Sequence, residues 1–163
     1  MKIIVSGTGI AGMSAALGVA NAGHDVTLFG HLASTQPTGG IQLAPNGWQA
    51  LIQLGLFDAA IKHATPLDNI IVRDLSSGVT LTRLELANCY ASIARADLLN
   101  LLKGAIAKHN AITHHPALIS QLVTHLDSVE LVLDDGNSIV AAAMIAADGV
   151  GGLGRKFVTS ANS

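Results

Sequence analysis

The alternation of apolar and polar positions divides the chain into short strands and helices in mixed order. Lys2-Ile3-Ile4-Val5-Ser6 is a near-continuous apolar run of strand length, the pattern of a strand buried on both faces. A glycine-rich turn follows, then an Ala-rich helical run from about Ile10 to Asn21, with Gly23 where a helix C-terminus favours glycine. Asp25-Val26-Thr27-Leu28-Phe29 predicts a second strand, and residues 30–40 read as a loop containing Gly, Ser, Thr and Pro. After a short apolar piece at Ile41 and Leu43, Asn46 is expected to cap a helix over 47–54 that Gly55 stops. Residues 69–75 and 79–86 alternate around Ser76-Ser77-Gly78 and predict a β-hairpin. Leu98, Leu101, Leu102, Ala105 and Ile106 share one face of an amphipathic helix over 97–108. Strands are then expected at 117–125, 129–134 and 138–146, the last in one or two pieces, with Asp135-Gly136 at a hairpin turn and Asp148-Gly149 at another. A strand–helix–strand start followed by an antiparallel meander is a mixed α/β arrangement. It is not the succession of βα units of a nicotinamide-dependent dehydrogenase domain.

The candidate chemistry lies in the first turn. Gly7-Thr8-Gly9-Ile10-Ala11-Gly12 is a G-x-G-x-x-G fingerprint in the strand–turn–helix setting that gives it meaning. The first glycine permits the tight turn, the second lets the backbone approach a pyrophosphate, and the third lets the helix pack close to the strand. A helix N-terminus presents N–H groups and a partial positive charge to the two phosphates. Gly7, Gly9, Ile10, Ala11 and Gly12 are therefore the candidate dinucleotide-binding residues.

Composition narrows the classes. Half of the 163 residues are hydrophobic and 12% are charged, so the chain is apolar for a free-standing domain. A net charge of −2, no basic run and 3% aromatics argue against nucleic acid. Four glycines interrupt the apolar start, and no stretch reaches the roughly 18 apolar residues of a membrane span, so neither a leader nor a membrane partner is expected. Cys89 is the single cysteine, which points to a reducing, cytoplasmic setting. The seven histidines are scattered without ligand spacing, and no metal site is expected.

Four segments together resemble the FAD-dependent aromatic-ring monooxygenases of the p-hydroxybenzoate and salicylate hydroxylase type. They are the fingerprint; Gly39-Gly40-Ile41-Gln42-Leu43-Ala44-Pro45-Asn46, similar to the family's segment beside the flavin; Ile93-Ala94-Arg95-Ala96-Asp97-Leu98, similar to its Arg–x–Asp–Leu; and Asp148-Gly149 with Arg155 seven residues after the Asp, similar to its Asp-Gly motif. The resemblance runs through about residue 156 and implies a Rossmann-like, glutathione-reductase-like FAD-binding fold with a β-meander. On it, residues 1–163 are the N-terminal part of an FAD-binding domain, and 66–90 is a partial substrate-domain insertion. The family's C-terminal half, with the Gly-Asp motif that completes the flavin site, is absent. The implied cofactor is FAD, with NAD(P)H as reductant and a small aromatic substrate. Arg95 would reach the cofactor's phosphate or linker, where a permanent multi-donor cation suits. Asp148 and Gly149 would contact cofactor hydroxyls.

Three positions depart from that pattern, and each removes a polar contact. Gly30, followed by His31, stands where an acid usually accepts hydrogen bonds from the adenosine ribose; losing such a bond costs roughly 1.5–3 kcal/mol. No arginine follows to meet a 2′-phosphate instead. Ala94 replaces a frequent His, and Gly152 a frequent Ser. No residue stands out as a catalytic acid, base or nucleophile. The expectation is the FAD-binding portion of a ring hydroxylase, truncated and inactive alone. The alternatives are a residual nucleotide- or FAD-binding module, inactive or completed by a separately encoded C-terminal half, and an NAD(P)-binding reductase. Whether the chain is by itself an enzyme, its substrate, its preferred nicotinamide and its oligomeric state stay open in the sequence.

Overall fold

The computed structural model describes residues 1–32, 38–86 and 89–159. The middle of the loop expected over 30–40 and the last four residues lie outside that range. The chain forms two compact units, residues 1–36 with 102–163 and residues 37–101.

The first unit is built on a parallel sheet of β1 (Lys2–Ser6), β2 (Asp25–Phe29), β8 (Ile112–His115) and β12 (Ala143–Ala146), in the order β12-β1-β2-β8. Ile4 and Val5 are fully buried, as the unbroken apolar run requires of a central parallel strand. The face that includes Ile4 and Phe29 is covered by an antiparallel meander of β9 (Ile119–Thr124), β10 (Val129–Leu133) and β11 (Ser138–Ala141). Val129, Leu131 and Leu133 of β10 alternate inward and supply most of that core. Helix α1 (Ile10–Asn21) lies against the parallel strands and buries Met13, Ala16, Leu17 and Ala20 at three- and four-residue spacing. Gly23 takes φ +86 just past its end, as expected of a glycine after a helix.

In this unit one strand escapes the sequence reading. Residues 112–115 alternate too briefly to announce β8. The run 138–146 is indeed two pieces, but they join different sheets: after Ala141 the Ala142 N–H donates to Lys2 O at 3.0 Å, and β12 continues in parallel beside β1. Helix α5 (Leu153–Thr159) follows the Asp148-Gly149 turn, in a stretch whose sequence pattern announces no helix.

The second unit holds an antiparallel sheet in the order β3 (Gly40–Leu43), β7 (Ala91–Ala94), β4 (Ala64–Pro66). It also contains α2 (Pro45–Gln53), α3 (Phe57–Ala60) and a single 3-10 turn over Ile61–His63. Helix α2 begins before the expected position. Ala44 is its N-cap and Pro45 its first residue, because proline lacks only an N–H that a first turn leaves unpaired anyway. Asn46 is therefore inside the helix rather than its cap. Trp48 packs edge-to-face on Phe57 with ring centroids 5.5 Å apart. Helix α4 (Arg95–Lys108) also starts two residues early, and Arg95 is its first residue. The hairpin of β5 (Asn69–Arg73) and β6 (Thr80–Glu85) forms as expected, and among the described residues neither strand pairs with a third. No helix of the described residues is long and apolar enough to cross a membrane.

The turn of this hairpin is held by Asp74, whose Oδ1 accepts from Ser77 Oγ (2.6 Å), Ser76 Oγ (2.7 Å) and the Ser77 N–H (2.7 Å). The Ser77 hydroxyl first, then the Ser76 hydroxyl and the Ser77 backbone, hold the carboxyl at about 2, below its ordinary 3.8. A folded-state value below the unfolded one makes this contribution complete above about pH 4 and lost as pH falls through about 2. In an NMR titration the Ser77 amide is expected to shift with its midpoint near that lower value; a midpoint at or above the ordinary carboxylate value would refute the assignment.

Candidate functional site

The C-terminal ends of the four parallel strands meet along one edge, and backbone hydrogen bonds extend the sheet beyond them. Gly7 N donates to Phe29 O (2.8 Å), Gly30 N to His115 O (3.1 Å) and Ala147 N to Ser6 O (2.7 Å). Because β1 lies between β2 and β12, neighbouring chain ends diverge to either side of it. In open α/β sheets that divergence opens a crevice at the carboxyl ends of the strands. Here it is a cleft of about 360 Å³ lined by residues 6–9, 29–30, 117–119 and 147–149.

Glycine is demanded at two places in the fingerprint turn. Gly7 has φ +113, and a Cβ there would run into the Ala147 carbonyl. A Cβ on Gly12 would run into the Gly7 carbonyl, and the Ala147 Cβ is only 3.5 Å from the same point. Turn, helix and the segment after β12 therefore touch backbone to backbone. Gly9 differs: its φ of −78 is ordinary and a Cβ would meet nothing within 4 Å. The space above Gly9 is open, on the side where the first turn of α1 has no side-chain cap and no acidic residue. Those N–H groups are free of the usual competitors for an anion.

The second turn supplies the carboxylate among the residues that line this cleft, Asp148. Its Oδ2 accepts from the Gly154 N–H at 3.0 Å, at the start of α5. A Cβ on Gly152 would collide with that carboxylate. The Gly152 departure thus has a local reason: it makes room for Asp148 to fold over the α5 N-terminus. At the end of β2, Gly30 adopts φ +133, its carbonyl accepts from His114 Nε2 at 2.8 Å, and Thr8 Oγ1 donates to His31 O at 2.7 Å. His115 stacks on Phe29 with centroids 5.5 Å apart.

The structure accordingly brings Gly7, Gly9, Asp148 and Gly149 to one cleft and raises Ile10, Ala11 and Gly12 from it as the first turn of α1. Arg95 belongs to the second unit, where its N–H donates to Gly39 O at 2.9 Å. Residues 117–119, Phe29 and Ala147 carry no chemistry in the sequence and form walls that only the assembled sheets place. His114 is legible as a histidine but not as a partner for the Gly30 carbonyl. The second unit has its own apolar hollow of about 480 Å³, lined by Trp48, Phe57, Ile61 and Tyr90 among others. Among the described residues, no three His, Cys, Asp or Glu could together hold a metal ion.

No family model matches the chain. It is 33% identical over 159 residues to 3-hydroxybenzoate 6-hydroxylase 1 of Aquipseudomonas alcaligenes, covering 91% of this chain and 40% of that protein. It is 35% identical over 162 residues to a 3-amino-4-hydroxybenzoate 2-monooxygenase of Streptomyces platensis, covering 91% and 39%. Among solved structures, Klebsiella pneumoniae HpxO complexed with FAD and uric acid superposes with a TM-score of 0.75 at 27% identity, over 91% of this chain and 39% of that one. The chain spans about 40% of the length of the curated relatives it matches.

Substitutions at two positions test the structural contacts at this edge. Gly12→Ala gains about 1 kcal/mol of helix propensity but drives its Cβ into the Gly7 carbonyl, a clash with fixed backbone at or beyond the top of the about 1–3 kcal/mol that overpacking costs. Net destabilisation is expected in urea unfolding, and an unchanged or raised midpoint would contradict the close approach. Asp148→Ala removes an acceptor at the start of a helix, worth about 0.5–2 kcal/mol. Asp148→Asn keeps an acceptor oxygen and is expected to lose less in the same experiment; equal losses would remove α5 from the account.

Proposed function

We propose that this chain, which matches the N-terminal portion of the FAD-dependent aromatic-ring monooxygenases, binds FAD at the carboxyl edge of its parallel sheet and is the FAD-binding part of such a hydroxylase. One observation carries the reading. The fingerprint turn, the end of β2 and the Asp148-Gly149 turn, far apart in sequence, border one cleft at the point where strands diverge around β1. The fit of a dinucleotide is supported by the open space above Gly9, by the uncapped first turn of α1 and by the four-stranded parallel sheet behind them.

In this reading the N–H groups of the Gly9 turn and of residues 10–12 hold the pyrophosphate, and Asp148 and Gly149 border the cofactor on the β12 side. Arg95 supplies a further cation to its phosphate or linker. The bound flavin would supply the redox chemistry, with NAD(P)H as reductant and a small aromatic ring as substrate, while the chain binds, orients and shields. The hairpin within 66–90 is assigned to a substrate domain in the glutathione-reductase-like arrangement. Its exposed Ile71, Val72, Leu81 and Leu84 suit a sheet continued by further polypeptide, whether contiguous or separately encoded. Cys89, a lone exposed thiol, suits a reducing cytoplasm.

The test is a visible-absorption titration of the purified chain with FAD, after removal of free flavin, beside Gly9→Ala. The wild-type chain is expected to retain flavin. Gly9→Ala, whose Cβ meets no protein atom, is expected to stay folded, with at most the modest loss of a less favoured helix N-cap, and to lose at least about tenfold in FAD affinity, the scale of one charge-assisted hydrogen bond. A folded chain that stays colourless would overturn the reading.

A further inference from the structure

We infer that the adenosine end of this cleft accepts a 2′-phosphorylated dinucleotide as readily as an unphosphorylated one, and that Gly30 is the residue that sets this indifference. The inference rests on the dinucleotide reading above. In a strand–turn–helix site, an acid at the end of the second strand binds the ribose 2′-hydroxyl and repels a 2′-phosphate, whereas an arginine nearby welcomes the phosphate. Here both are missing, and the structure shows why neither has a substitute close by. Strand β2 ends at Phe29, and the next residue, Gly30, lines the cleft in the left-handed region with φ +133. Both of its backbone groups are engaged, the N–H with His115 O and the carbonyl with His114 Nε2. A Cβ at this position would sit 3.2 Å from Thr8 Cγ2 and 3.5 Å from the Thr8 N–H nitrogen, so the glycine lets β2 close down on the fingerprint turn. The Thr8 Oγ1 bond to His31 O fastens the next residue to the same turn.

The sequence beyond offers no replacement. Residues 30–57 contain no Asp, Glu, Lys or Arg. Asp148 lies at the other flank of β1, on the β12 side, with Oδ2 taken by Gly154 N. Among the described residues that line the cleft on the β2 side, there are backbone groups, Thr8, Phe29 and apolar residues, and no carboxylate, ammonium or guanidinium to read a phosphate. Affinity is left to the pyrophosphate contacts, which the two classes of dinucleotide share.

Isothermal titration of the intact chain with ADP-ribose and with 2′-phospho-ADP-ribose, at neutral pH and physiological ionic strength, tests this directly. The two dissociation constants are expected to agree within about threefold, below the roughly tenfold step of a single charge-assisted hydrogen bond. A preference of tenfold or more for either probe overturns the inference and leaves the dinucleotide reading standing. Failure of both to bind overturns both. Gly30→Asp strains the backbone at φ +133 and crowds Thr8 Cγ2; where it folds, it is expected to shift the ratio at least about tenfold toward ADP-ribose. His31→Glu places a carboxylate one residue on and is expected to shift it the same way. An unchanged ratio in both folded variants would take the selectivity away from this strand end.

Discussion

The close approach of three backbone segments at Gly7 is the constraint on which the rest of the first unit depends. Strand β1, helix α1 and the segment after β12 meet there with no side chain between them, because Gly7 and Gly12 leave the space that a Cβ would fill. That contact sets α1 tight against the sheet, points its uncapped first turn along the strand ends, and brings the Asp148-Gly149 turn beside the fingerprint. The geometry is one of backbone groups. It is suited to holding a phosphate through N–H donors, and much less to proton transfer by side chains.

Around this contact the polar groups are spent on the protein itself. Asp148 caps the start of α5, Thr8 ties the fingerprint turn to His31, and His114 holds the Gly30 carbonyl. Each bond locks a loop that borders the cleft, so the cleft is shaped by internal hydrogen bonding before any ligand arrives. Such preorganisation lowers the ordering cost of binding. It accords with the FAD-binding role proposed above.

The apolar composition divides between the units. In the first, the parallel sheet is covered by the meander on one face, with Leu131 and Ile4 fully buried. In the second, Leu43, Trp48, Leu51 and Ile93 form a small core, while Leu75, Val79, Leu81 and Leu84 on and around the hairpin remain exposed. These side chains lie on both faces of the ribbon and at its turn, and a lone two-stranded hairpin is at best marginally stable in water.

Local chemistry made β1, α1, β2, the meander and the hairpin legible from the sequence alone. Strand alternation, helix periodicity and the glycine spacing of the fingerprint act over a few residues, and so does the Asp135-Gly136 turn, where Asn137 bonds back to Asp135. The same local signals misplace the starts of α2 and α4 by two residues, because Pro45 and Arg95 enter helices that propensity alone would begin later. What the sequence could not settle is partnership at long range. Parallel pairing of β8 with β2 and of β12 with β1 joins residues about 85 to 140 apart, and nothing within a four-residue strand encodes it. Only the folded sheet decides that Asp148 faces the fingerprint turn, that Gly152 exists to admit its carboxylate, and that Gly30 lets the second strand close on Thr8. Those outcomes depend on which backbones come within van der Waals contact, a property of the assembled tertiary structure that no short segment carries.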